Sequence, residues 1–203
     1  MIDKKHWYDG LIYDKFIAPN QDLMFRLIRN MIDKDSAVID VGCGTGRLEF
    51  QLADKCKTVT GIDLSSKNIK MANKNLDSKK LSNVSFIHTG IEELAASGNA
   101  KYDYAVMTFV IHEIAQEQRL NVLASMKKIA DTIIIGDYLV PRNNNFGTKF
   151  SIAVEYFAGR DHYANYKSFV KQGGVDFLVE KAGLKTLKEI KGKPKIAQIV
   201  KVA

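Results

Sequence analysis

Cysteine is scarce. Cys43 and Cys56 are the only two in 203 residues, too few for a disulfide framework and without histidine or cysteine neighbours at zinc-ligand spacing. No metal site is expected. Long apolar runs are missing as well. No stretch reaches the roughly 18 consecutive apolar residues of a membrane span, and the opening Met1-Ile2-Asp3-Lys4-Lys5-His6 lacks the apolar centre of a secretion signal. The expectation is a cytoplasmic protein with no membrane span. Internal repeats, low-complexity tracts and arginine-rich runs interleaved with aromatics are also absent, and the last of these argues against a nucleic-acid partner.

What is present is ordinary globular usage, with 46% hydrophobic and 26% charged residues, which excludes disorder and collagen-like structure. A chain of this length can remove roughly 70% of its unfolded surface from water as one domain. The formal charge of +7 is unevenly placed: residues 1–140 hold 18 basic and 18 acidic side chains, and residues 141–203 hold 12 and 5. Such an excess can steer anions. It can equally be edge protection, because Lys185, Lys188, Lys191, Lys193, Lys195 and Lys201 punctuate two strand-like runs, and lysines on a sheet edge block edge-to-edge pairing.

Short runs rich in valine and isoleucine alternate with stretches of helical periodicity, the rhythm of βαβ units on a parallel sheet. Strands are expected over 37–41, 58–62, 84–87, 104–108 and 132–136, and helices over 47–54, 66–77, 92–96 and 116–129. Two helices precede them, over 5–17 and 20–32, parted by Pro19. After the fifth strand come a helical segment near 146–158, a helix closed by Ala182-Gly183, and strands over 186–190 and 196–202 joined through Gly192-Lys193-Pro194. The fold class is therefore α/β: a doubly wound, mostly parallel seven-stranded sheet ending in an antiparallel hairpin. One domain over 1–203 is expected, with a helical cap (1–35), a core (36–140), an insert and helix roofing the pocket (141–183) and the hairpin (184–203).

One motif dominates. Asp40-Val41-Gly42-Cys43-Gly44-Thr45-Gly46 follows the first strand and leads into a helix. Ligands of open α/β sheets settle at the carboxyl ends of the strands, beside the switch in strand order, and glycines there let a ligand approach the backbone. About twenty residues on, the second strand ends in Asp63, whose carboxylate can accept both hydroxyls of a ribose. A dinucleotide site wants G-x-G-x-x-G, whereas the pattern here is D-x-G-x-G-x-G, so a nicotinamide-dependent dehydrogenase rests only on the shared glycines and acid.

This pattern resembles motif I of the class I S-adenosylmethionine-dependent methyltransferases. The resemblance implies that Asp40, Gly42, Cys43, Gly44 and Gly46 cradle the methionine part of S-adenosylmethionine and that Asp63 and Leu64 hold its nucleoside, S-adenosylhomocysteine being the product. Residues 86–94, with Gly90 and Ile91, look like the adenine-contacting motif, and residues 102–114, with Thr108 and Phe109, look like motif IV beside the methyl group. The family often carries an acid where Gly90 stands; here adenine would be held by backbone groups, by Leu64 and Ile91, or by Glu92.

Methyl transfer asks a protein chiefly to align donor and acceptor and exclude water. A thiol or hydroxyl acceptor must also lose a proton, and a base with a pKa near neutrality serves this. His112, after the fourth strand, is the catalytic candidate; a histidine packed at a strand end has the same sequence signature. In similar methyltransferases the insert after the fifth strand and the N-terminal helices roof the substrate, which makes Tyr8, Tyr13, Arg160, His162 and Tyr163 the substrate-binding candidates, with Trp7 and Tyr166 beside them. Core packing is the alternative for all of these. Thr108-Phe109-Val110-Ile111 replaces the prolines of base-amine methylases, so a small-molecule acceptor is expected. An RNA or other anionic acceptor and a non-catalytic cofactor-binding protein are the alternatives.

Overall fold

Alternation along the strands sorts side chains onto the two faces of one sheet. The computed structural model describes residues 21–98, 101–141, 156, 159–193 and 196–203. Its strands are β1 (Ala37–Val41), β2 (Thr58–Asp63), β3 (Val84–His88), β4 (Tyr102–Thr108), β5 (Ala130–Tyr138), β6 (Thr186–Lys191) and β7 (Ala197–Val202). The helices are α1 (Asp22–Arg29), α2 (Arg47–Leu52), α3 (Ser66–Lys79), α4 (Ile91–Ala96), α5 (Arg119–Ile129), α6 (Arg160–Gln172) and α7 (Gly174–Lys181). Val38, Tyr104, Val106 and Ile134 face α1 and α2 in one apolar cluster, while Ile39, Ala105, Met107, Ile133 and Ile135 face α4 to α7 in the other. With both faces covered, the central strands read as unbroken apolar runs. Each fully buried Leu, Ile or Phe, such as Leu123 and Phe169, stabilises by about 1.5–3 kcal/mol.

The strand order is β3-β2-β1-β4-β5-β7-β6. Strands β1 to β5 are parallel, and β7 runs antiparallel to both β5 and β6. The chain winds from β1 out to β3, then returns to start β4 on the other side of β1. The carboxyl ends of β1 and β4 therefore flank the switch point where open α/β sheets bind ligands.

Most expected elements are present, with shifted ends. Strand β4 starts earlier, at Tyr102, β5 extends at both ends, α1 is shorter than 20–32, and α5 starts at Arg119 because residues 116–118 form a turn closed by the Gln118 N–H on the Ala115 carbonyl at 2.9 Å. Helix α6 occupies part of the insert that the sequence reading left without a helix. The helix expected over 5–17, with Trp7, Tyr8 and Tyr13, and most of that near 146–158 lie outside the described residues. Strand β6 is an exposed edge carrying Lys188 and Lys191, as edge protection requires. Lys201 is different: its Nζ donates to the Met31 carbonyl at 2.9 Å and lies 4.8 Å from the Tyr104 ring centre. Among the described residues no helix is long and apolar enough to cross a membrane.

Candidate active site

The glycine loop is bent by its own backbone. Gly42, Gly44 and Gly46 have φ of +82°, +56° and +88°, the left-handed region that costs other L-residues roughly 1–2 kcal/mol. Space excludes side chains too. A Cβ on Gly42 would stand 2.4 Å from Val110 Cγ2, and one on Gly46 2.4 Å from Phe86 Cζ. The loop is pinned to β2 by the Gly42 and Cys43 N–H groups, which donate to the Ile62 carbonyl at 2.8 and 3.0 Å. Cys43 is buried, and burial together with Glu49, Asp63 and Asp40 pushes its thiol well above the ordinary range. It stays protonated at neutral pH.

Asp63 ends β2 with its carboxylate fixed between two backbone donors. Oδ2 accepts from Gly44 N–H at 2.9 Å and Oδ1 from Ser65 N–H at 2.7 Å. Ser65 caps α3 through its Oγ on Asn68 N–H at 3.3 Å, which holds the turn carrying Leu64. Across from it, Gly90 starts α4. A Cβ on Gly90 would meet Leu64 Cδ2 at 3.4 Å and Glu92 Oε2 at 3.6 Å. Glu92 and Leu64 thus flank Gly90, while Ile91 is buried in the core under α4.

Beneath the loop lies a pair that the sequence reading missed in part. Asp40 is 2% exposed and Glu49, on α2, is fully buried. Burial and the charge of Asp63 raise Asp40 to about 7; burial and Asp40 push Glu49 well above the carboxylate range. The signal for Glu49 was an acid between Leu48 and Leu52 on the apolar face of a short helix.

At the end of β4, Phe109 turns the chain out of the sheet with φ of +53°, held by its N–H on the Gly136 carbonyl at 2.8 Å. Buried Thr108 precedes it, and Val110 follows against Gly42. The next turn delivers His112, 2% exposed, whose Nδ1 lies 2.8 Å from Oδ1 of the fully buried Asp137. An ionised carboxylate can only accept, so Nδ1 carries the hydrogen and Nε2 keeps the lone pair. The rings of Tyr138, Tyr166 and Phe169 stand 4.9, 6.0 and 6.2 Å from that of His112.

Helix α6 brings His162 to the same place, with its ring 5.8 Å from the ring of His112 and its Nε2 3.0 Å from Oε1 of Glu113. Tyr163 is half-buried and stacked on Tyr166 at 6.4 Å. Arg160 is exposed on the first turn of α6, and two residues before His162 it points to another face of the helix. Tyr8 and Tyr13 lie outside the described residues. Asp137 and Glu113 had not been singled out. An acid ending the run Ile133-Ile134-Ile135-Gly136 was a usable signal for Asp137; Glu113 had none beyond its neighbour.

A family model described as a methyltransferase domain matches residues 32–154. The chain belongs to that family. Among relatives, a probable S-adenosylmethionine-dependent methyltransferase of Saccharomyces cerevisiae is 25% identical over 131 residues, covering 64% of this chain and 45% of that protein. The mitochondrial ubiquinone biosynthesis O-methyltransferase of Arabidopsis thaliana is 38% identical over 78 residues, 38% of this chain and 24% of that one. The chain thus spans less than half the length of either relative. In fold it is similar to a protein from Pyrococcus horikoshii OT3, at 17% identity, 96% and 94% coverage of the two chains and a TM-score of 0.70. It is also similar to the N-methyltransferase NodS from Bradyrhizobium japonicum WM9, at 14% identity, 93% and 97% coverage and a TM-score of 0.65.

The residues of this chain fit S-adenosylmethionine, the cofactor of the class. At Gly42 and Gly46 the space a Cβ would take is filled by Val110 and Phe86, which packs the positive-φ loop closely at the strand ends. Oδ1 of Asp40 is a buried acceptor with no hydrogen-bond partner among the described residues. Asp63 could hold the ribose hydroxyls, and Leu64 with Glu92 could border the adenine.

Proposed function

We propose that this chain methylates a hydroxyl or thiol of a small molecule, with His112 taking the acceptor's proton. S-adenosylmethionine, when bound, supplies an electrophilic methyl group on a sulfonium sulfur. The observation that carries the reading is the buried His112–Asp137 pair, 2.8 Å apart, beside the glycine loop. Val110 occupies the space over Gly42 and His112 follows two residues later, so the base and the cofactor loop meet at the switch point. Asp137 fixes the tautomer and stabilises the imidazolium formed when Nε2 accepts a proton. Tyr138, Tyr166 and Phe169 keep water from the ring. His162 and Tyr163 border the acceptor.

An RNA acceptor is the competing reading, because matched relatives include the tRNA/tmRNA (uracil-C(5))-methyltransferase of Sulfurimonas denitrificans, 27% identical over 96 residues. The charge excess of the last third supports it weakly. Lys191 is engaged by Asp176 at 2.8 Å and Glu189 at 3.0 Å, and Lys201 is turned onto Tyr104, so neither is a free phosphate contact.

Calorimetric titration with S-adenosylmethionine, S-adenosylhomocysteine and NADH tests the cofactor. Labelled methyl transfer to phenols, thiols, amines and bulk RNA then tests the acceptor. Binding of the first two nucleosides alone, with label on phenols or thiols, is expected. Label on RNA alone overturns the acceptor class. Tight binding without label on any acceptor favours a non-catalytic cofactor-binding protein, and no binding of either sulfur nucleoside overturns the reading altogether.

A further inference from the structure

Three side chains from two distant chain segments place nitrogen and oxygen donors together beside the switch point. Oε1 of Glu113 lies 3.0 Å from Nε2 of His162 and 3.9 Å from Nε2 of His112. One donor atom from each of the three lies within 4.8 Å of the other two. Donors bonded tetrahedrally at about 2.0–2.2 Å to one ion stand roughly 3.3–3.5 Å apart, so small side-chain adjustments bring all three onto a common centre. His112 and His162 are nearly buried and Glu113 is only a quarter exposed.

We infer that His112, Glu113 and His162 bind one divalent transition-metal ion of the zinc class. The acceptor role given to the ion rests on the methyltransferase reading above; the binding site does not. The donor set decides the class of ion. Two imidazole nitrogens and one carboxylate oxygen make a borderline-soft site that suits zinc and its neighbours, whereas magnesium and calcium prefer all-oxygen shells. Three protein ligands leave a fourth position open, as catalytic zinc requires.

The surroundings are those of a held ligand set. Asp137 grips Nδ1 of His112 at 2.8 Å, the carboxylate–histidine arrangement that fixes the tautomer and aims the Nε2 lone pair at a metal. Asn165 Nδ2 donates to the Glu113 carbonyl at 2.9 Å, which ties α6 to the turn bearing two of the ligands. The fully buried Arg119 reinforces that junction: its guanidinium donates to the carbonyls of Ile114 (3.0 Å) and Asn165 (2.7 Å), to Ser168 Oγ (2.8 Å) and to Gln172 Oε1 (2.8 Å). With the ion in place the Nε2 lone pair of His112 is committed to it. A hydroxyl or thiol entering the open position has its pKa lowered by the ion and loses its proton to water. In the metal-free protein His112 accepts that proton itself.

The test uses the full chain, stripped with chelator and dialysed, then titrated with Co2+ as a spectroscopic probe and with Zn2+ as competitor, followed by calorimetry and visible absorption. One Co2+ per chain is expected, with ligand-field absorption of a four- or five-coordinate site that Zn2+ abolishes. Metal should raise Tm of the parent protein by mass action. Glu113→Gln, which keeps the side chain's shape, and His162→Ala should each weaken binding by about 100-fold or more, and Asp137→Asn by about 10- to 100-fold. His88→Ala, whose ring sits on the Leu64 carbonyl, should bind like the parent. Loss of cobalt absorption in a chain that still binds S-adenosylmethionine overturns the metal site alone, as does undiminished binding by both Glu113→Gln and His162→Ala. Cobalt uptake without S-adenosylmethionine binding supports the site and overturns the methyltransferase reading instead.

Discussion

Oδ1 of Asp137, at the end of β5, lies 2.8 Å from Nδ1 of His112, in the turn after β4, and both side chains are at least 98% buried. Parallel pairing of β4 with β5 puts Thr108 opposite Gly136, so the turns beyond these residues emerge side by side. The contact is a product of sheet register, and in the proposed reaction it would set the tautomer of His112. A positioned base contributes about 10²–10⁴-fold to a rate. His112→Ala should lower kcat within that range and leave the cofactor Kd nearly unchanged; Asp137→Asn should lower kcat by at least about tenfold. Single-turnover kinetics beside calorimetry checks both. Unchanged turnover in His112→Ala would assign the ring to packing.

Cofactor affinity should depend on Asp63 and Gly42 for different reasons. Asp63→Ala removes the acceptor held by the Gly44 and Ser65 N–H groups. Gly42→Ala strains a residue at φ of +82° and drives a methyl into Val110. Each should weaken S-adenosylmethionine binding by more than about tenfold, equivalent to 1.4 kcal/mol. Retained binding in both variants would remove the loop from the site.

Stability should fall as pH rises through neutrality in the ligand-free protein. Asp40 titrates at about 7 in the fold, against an ordinary value of 3.8. A carboxyl whose folded pKa is raised binds a proton more tightly when folded, so its contribution is fully present below pH about 4 and is lost as pH climbs through about 7. Glu49 is shifted in the same direction. Asp40→Asn cannot ionise there. Its Tm should match the parent at pH 4 and exceed it by a few degrees at pH 8, read by thermal unfolding at both values. A parent Tm that does not fall between them refutes the assignment.

Arg119 should matter to α6 more than to the cofactor loop. Burial lowers its pKa, and its guanidinium is satisfied by the Ile114 and Asn165 carbonyls, Ser168 and Gln172. Arg119→Met removes the donor of these four part-buried hydrogen bonds, and an acceptor left unsatisfied costs about 1–3 kcal/mol. Urea unfolding should show a loss of at least about 2 kcal/mol. Methyl transfer should fall with it, while S-adenosylmethionine affinity changes little. An equal loss of cofactor affinity would place the damage in the core instead.

The order of elements along the chain was legible before any fold, because burial on both faces of a parallel sheet writes itself as apolar runs such as Ile133-Ile134-Ile135. The cofactor loop was legible for a related reason: a backbone that must take positive φ against Val110 and Phe86 tolerates only glycine, so Gly42, Gly44 and Gly46 mark the turn by residue type. Asp63 was legible by distance from that loop. These features are local, set within a few residues of sequence. The acceptor side is not. Asp137 meets His112 through β-strand register, and His162 meets Glu113 through the docking of α6 by Asn165 and Arg119. Sequence carries no record of which distant side chains share a cavity. Glu49 passed unnoticed because a buried acid and a surface acid look alike until a helix face is assigned. The sequence by itself determined the architecture, the glycine loop and the acid that ends β2. Only the tertiary structure decided which groups stand at the acceptor, because those contacts join segments that nothing but packing brings together.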